Sequence, residues 1–140
     1  MNPGAPDAPR ARTAGDGSRD FSHEIIGAAV EVQRELGTGL LDSVYASALA
    51  VELRARGLQF ARDVPIAASY KGQDVGVAFR ADFVVEDAVI LELKSSSLPV
   101  EARRGQLQSH VRLAGMNLGL VIDFNEMPLT KAVLRVVNKL

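Results

Sequence analysis

The chain has 140 residues, no cysteine, two histidines and a formal net charge of −1, with a pI near 6.1. That bounds a single domain and excludes a disulfide scaffold, a thiolate metal site, a cysteine nucleophile and a histidine-rich zinc site; it also removes any global basic field that would gather nucleic acid. No apolar run approaches the roughly 20 residues that span a bilayer, and the N-terminus lacks the apolar core of a secretory signal, so a cytoplasmic protein is expected.

Residues 1–20 are rich in Pro, Gly, Ala, Asp and Arg, which predicts a disordered tail ahead of a domain at 21–140. A first helix is expected from Phe21 or Ser22 to just before Gly37. Ser22 serves as its N-cap, and Ile25, Ile26, Ala29, Val32 and Leu36 form its apolar stripe. Glu24, Glu31 and Glu35 fall on its solvated side. A second helix runs from Leu41 or Asp42 to Arg56 and is closed by Gly57. Its stripe of Val44, Tyr45, Ala48, Leu49, Val51 and Leu53 is wide enough for burial on more than one side. Asp42, three residues before Tyr45, shares the inward side. From Leu58 the period shortens: 59–70 is extended with an interruption at Pro65, and Lys71-Gly72-Gln73 is a turn signal.

Strands at 74–85 and 88–95 follow. A further helix opens near Ser97-Leu98-Pro99 and ends near Gly115. Leu107, Val111 and Ala114 form its apolar side, with Arg103, Gln106 and His110 on its polar side. Residues 117–124 are apolar on both faces and therefore make a central strand. The alternation at 131–137 favours a final strand. The order predicts an α/β fold, a mixed sheet with flanking helices, in which the crossover through 99–114 makes the strands at 88–95 and 117–124 parallel.

The chemistry concentrates at 80–95. A three-residue loop at 86–88 pairs residue 82 with 92, 84 with 90 and 80 with 94. Phe83, Val85, Val89, Leu91 and Leu93 then share one apolar face. Arg80, Asp82, Val84, Ile90, Glu92 and Lys94 share the other. Two carboxylates side by side on a sheet repel and need an offset: Lys94 and Arg80 in a surface ion-pair cluster, or a bound divalent cation. Arg54, Arg56 and Arg62, and likewise Arg103, Arg104 and Arg112, are candidate phosphate contacts or solvated helix faces. Tyr45 is expected in the core, and Glu31 on the solvated side. Asp123 would add a carboxylate if it points to the hairpin's polar face.

This arrangement resembles the PD-(D/E)XK nuclease superfamily, and more closely the bacterial GxxExxY proteins within it. The carriers are the first helix with Glu31-Val32-Gln33, then Gly39-Leu40-Leu41-Asp42-Ser43-Val44-Tyr45, Tyr70-Lys71-Gly72, Arg80-Ala81-Asp82, Glu92-Leu93-Lys94 and Gln106-Leu107. The sequence departs from the pattern at several points. Asp42 stands for the signature Glu, Gln33 for the usual His, Ala81 for Pro, His110 for the usual aromatic, and Asp123 for the Asn before Phe124. The resemblance implies a restriction-endonuclease-like core and Mg²⁺- or Mn²⁺-assisted hydrolysis of DNA or RNA phosphodiesters. It implies that Asp82, Glu92, the Leu93 carbonyl and Asp42, directly or through water, are the metal ligands. Lys94 would hold the attacking water or neutralise the phosphorus centre, and Gln106 would orient Lys94 or the phosphate. His110 would contact a phosphate or cap the polar face. Small size and the missing basic surface point to a homodimer or a larger complex. The alternative is a catalytically weak or inactive module that keeps the fold for binding, regulation or assembly.

Overall fold

A computed structural model describes residues 21–93 and 98–138. The helices are α1 (Ser22–Leu36), α2 (Asp42–Ala55) and α3 (Val100–Ala114). The strands are β1 (Phe60–Tyr70), β2 (Gln73–Val85), β3 (Val89–Leu93), β4 (Leu118–Ile122) and β5 (Val133–Val137), the last preceded by a 3-10 turn at Leu129–Ala132. The tail at 1–20, Lys94 and the helix opening at Ser97 lie outside the described residues.

The sheet order is β1-β2-β3-β4-β5. Its neighbours are antiparallel except β3 and β4, which are parallel. A parallel pair needs a long crossover, and α3 supplies it. The expected mixed α/β sheet is the one that forms. Every residue of β4 is buried, as two apolar faces between β3 and β5 require. Pro65 stays within β1, opposite Arg80, because an edge strand tolerates a missing N–H donor.

Helices cover both faces. α1 and α2 pack on one, where Ile25, Ala29, Leu49 and Leu53 join Phe83, Val85, Leu91 and Leu120 in a single core. Full burial of each large side chain there contributes roughly 1.5–3 kcal/mol. On the other face, Leu107 and Val111 of α3 meet Val121, Leu134 and Val136, while Ala114 packs against Ala81, Val84 and Ile90. Among the described residues no helix is long and apolar enough to cross a membrane.

Three local expectations change. Ser22 is the first helical residue rather than the cap. Phe21 takes the cap position at φ 65° because its ring is buried in the α1/α2 core. The α2 stripe is narrower than its sequence suggests: Tyr45, Leu49, Ala50 and Leu53 are buried, whereas Val44 and Val51 are 41% and 63% exposed. One side of α2 meets α1 and the sheet, and the other meets solvent. Asp42 is correspondingly exposed at the head of α2, not on its inward side. Finally, Arg56 is the C-cap and Gly57 follows it at φ 78°. That left-handed turn lets the Leu58 N–H donate to the Leu53 carbonyl and the Gly57 N–H to that of Arg54, both at 3.0 Å.

Candidate active site

The β2–β3 hairpin turns through residues 86–88, with Glu86 and Asp87 at φ 54° and 51°. Its ladder pairs Val85 with Val89, Val84 with Ile90 and Phe83 with Leu91, the register of a three-residue loop. The next step brings residue 82 beside residue 92, but backbone pairing stops there. The Leu93 N–H instead donates to Asp82 Oδ2 at 2.7 Å. A side-chain carboxylate has taken the place of a ladder carbonyl, at the point where two strands part.

At the same point β2 changes face. Phe83 and Val85 belong to the α1/α2 core and Val84 to the α3 side, as alternation demands. Continued alternation would carry Phe79 and Ala81 to the α1/α2 side. Both pack beneath α3 with Val84 and Ile90 instead. The expected common face of Arg80, Asp82 and Val84 therefore breaks at Asp82, and Arg80 is exposed. The neighbouring strand is irregular at the same level. Asp63 sits between the Arg62–Phe83 and Val64–Ala81 pairs with φ 52°, a left-handed conformation uncommon outside glycine.

The electrostatics follow from this geometry. Burial pushes the Asp82 carboxyl above the ordinary range; the Leu93 N–H opposes this, while Asp63 and Asp42 reinforce it. Burial likewise raises Glu92, opposed by its bond to His110 and reinforced by Asp82. Asp82 thus feels the carboxylates of Asp63 and Asp42, and Glu92 feels that of Asp82. Glu92 leaves the sheet on the α3 side, where its Oε2 lies 2.5 Å from His110 Nδ1. The side chains of His110 and Glu92 are only 16% and 15% exposed. The imidazole in turn stacks on Phe79, with ring centroids 3.7 Å apart and planes within 4°.

The remaining sequence candidates divide clearly. Gln106 is exposed on α3, one turn before His110. Leu93 is held through its N–H, and its side chain packs against the α1/α2 core. Asp123 Oδ1 accepts the Asn125 N–H at 2.9 Å, closing the turn after β4. Tyr45 is a core residue: its ring stacks on Phe124 at 4.7 Å and its hydroxyl donates to the Gly37 carbonyl at 2.7 Å. Arg54 and Arg62 lie over the rings of Phe60 and Phe83, and Arg56 and Arg34 pair with Glu52 and Glu31. Three contributors escape a reading of the sequence. Asp63 and Phe79 carry no local signal. Gln33 does carry one, as a polar residue beside Val32 in an apolar stripe. It is buried, and its Nε2 donates to the Phe124 and Glu126 carbonyls at 3.0 and 2.7 Å.

Among the described residues no three His, Cys, Asp or Glu side chains come together as a complete metal cage. The donor chemistry nevertheless fits a hard cation. Mg²⁺ is commonly held by one or two carboxylates and keeps several waters. Two half-buried carboxylates whose proton affinity is raised chiefly by burial are stabilised by such an ion.

No curated protein matches the chain. Among solved structures, "Crystal structure of SSO0001" aligns with a TM-score of 0.54 at 19% identity. The match covers 86% of this chain and 60% of that one, a likeness of fold alone. A family profile for the PD-(D/E)XK nuclease superfamily, whose members are generally nucleases using divalent metals, matches residues 19–136. With Asp82 within one strand, Glu92 on the next and a crossover helix behind them, the chain belongs to the PD-(D/E)XK nuclease superfamily.

Proposed function

We propose that this domain is a Mg²⁺- or Mn²⁺-dependent nuclease of the GxxExxY branch, hydrolysing phosphodiester bonds in DNA or RNA. The observation that carries the reading is the pair Asp82 and Glu92: two half-buried carboxylates from adjacent strands, electrostatically coupled where those strands part.

Asp82 and Glu92 would hold the ion with the Leu93 carbonyl, and Asp42, a methylene shorter than the signature Glu, would contribute directly or through water. A divalent ion bound there stabilises the negative charge that develops on the phosphoryl oxygens. Lys94, assigned from its motif, would hold the attacking water or neutralise the phosphorus centre. Gln106 orients the phosphate from α3. The domain offers too little basic surface for a specific nucleic-acid interface by itself, so it acts as a homodimer or within a larger assembly.

The second reading, a metal-binding but non-catalytic module, draws on the exposure of Asp42 and on His110 occupying one Glu92 oxygen. One set of measurements separates the two. Mn²⁺ at about 100 times its Kd should stabilise the protein by about 2.7 kcal/mol, and Glu92→Gln should abolish that increment. Cleavage of single- and double-stranded DNA and RNA should then disappear in Asp82→Asn and Lys94→Ala. Stabilisation without cleavage selects the non-catalytic module, and absence of any Mn²⁺ effect removes the metal site altogether.

A further inference from the structure

We propose that His110 is a positioning residue for Glu92: from α3 it fixes one carboxylate oxygen so that the other is presented to the cation. The inference rests on the metal-site reading above and adds a residue to it.

Glu92 extends from a five-residue strand on a side chain with several rotatable bonds, and its neighbour Asp82 repels it. Left alone, it would swing away from Asp82 and out of a ligand's geometry. The Nδ1–Oε2 contact of 2.5 Å removes that freedom. His110 is itself held twice. Its helix is seated by Leu107 and Val111, which are 1% and 0% exposed, and its ring lies flat on Phe79. The stack fixes the imidazole plane and thereby the direction of Nδ1. Phe79 reaches α3 only because β2 changes face at Asp82, so the backbone irregularity that places one carboxylate also builds the clamp on the other. Partners that hydrogen-bond to a ligating carboxylate usually matter by 10–100-fold in metal affinity.

The test is Mn²⁺ binding to the full chain at one fixed pH, followed by electron paramagnetic resonance of the free ion, with folding checked by circular dichroism. His110→Phe keeps the ring stack but removes Nδ1, and should weaken Mn²⁺ binding by about 10–100-fold. His110→Gln restores a donor and should recover most of the affinity. Phe79→Leu leaves the imidazole in place without its platform and should weaken binding in the same direction, which covers the case of a His110→Phe protein that fails to fold. Parent-like or tighter binding in the folded His110→Phe protein, or in Phe79→Leu if His110→Phe does not fold, overturns the role given to His110 while leaving the metal site intact. A parent protein that takes up no Mn²⁺ overturns both.

Discussion

At the scale of single residues, the cost of the site is written in two carboxyls. Asp82 and Glu92 both titrate above the ordinary carboxylate range, chiefly because burial disfavours their charged forms. In the unfolded chain they titrate at ordinary values. Between those limits the native state holds more protons than the unfolded state, so stability falls as pH rises through that window. Their contribution is fully present below the unfolded values and is lost once pH passes the raised native ones. Asp82→Asn removes one of these titrations while keeping a carbonyl oxygen for the Leu93 N–H. The metal-free Asn variant should therefore melt above the parent at neutral pH, and the advantage should vanish in acid. Melting curves from acid to neutral pH without divalent ions measure this. A variant that melts lower by the same amount at every pH would mean that the bond to Leu93, not charge burial, governs the site.

At the scale of elements, the clamp on Glu92 depends on how closely α3 lies on the sheet. Gly119 of β4 sets that distance: a Cβ there would come within 2.4 Å of Val111 Cγ2 and 2.8 Å of Leu107 Cδ1. Those two side chains flank His110 on α3. Gly119→Ala should cost about 1–3 kcal/mol through overpacking and lift α3, weakening Mn²⁺ binding more than its stability loss alone explains. Denaturant titration beside Mn²⁺ binding checks both halves, and a stable variant with unchanged affinity would uncouple α3 from the site. This dependence also shows what a sequence can disclose. The hairpin register was legible because period-two alternation and a three-residue loop are local properties. β4 was legible as central because both of its faces are apolar. The partnership of Glu92 with His110 was not legible, since it is created by a crossover that folds a helix back onto the strand preceding it. The change of face at Asp82 was hidden as well: it lies beside Asp63, an aspartate where glycine would have signalled a positive φ.

At the scale of the whole molecule, the sheet is lopsided. β3 supports β2 only from Phe83 to Val85, yet the β1–β2 ribbon continues to Tyr70 and Gln73. Beyond Phe79 it is a two-stranded arm with Tyr70, Val75 and Val77 about two-thirds exposed, at 64%, 60% and 59%. Two strands without a packed face are marginally stable in water, whereas β3 and β4 are buried between helices. Hydrogen exchange should therefore divide the sheet. Amides in the arm, residues 67–77, should exchange through local opening at a small free energy, while those of Leu91 and Leu120 should wait for global unfolding. The boundary should fall near Phe79, whose stack on His110 ties the ribbon to α3. Arm amides as protected as those of β3 in dilute protein would contradict this division. Protection that appears only as the protein is concentrated would instead mark the arm as the surface through which two copies meet.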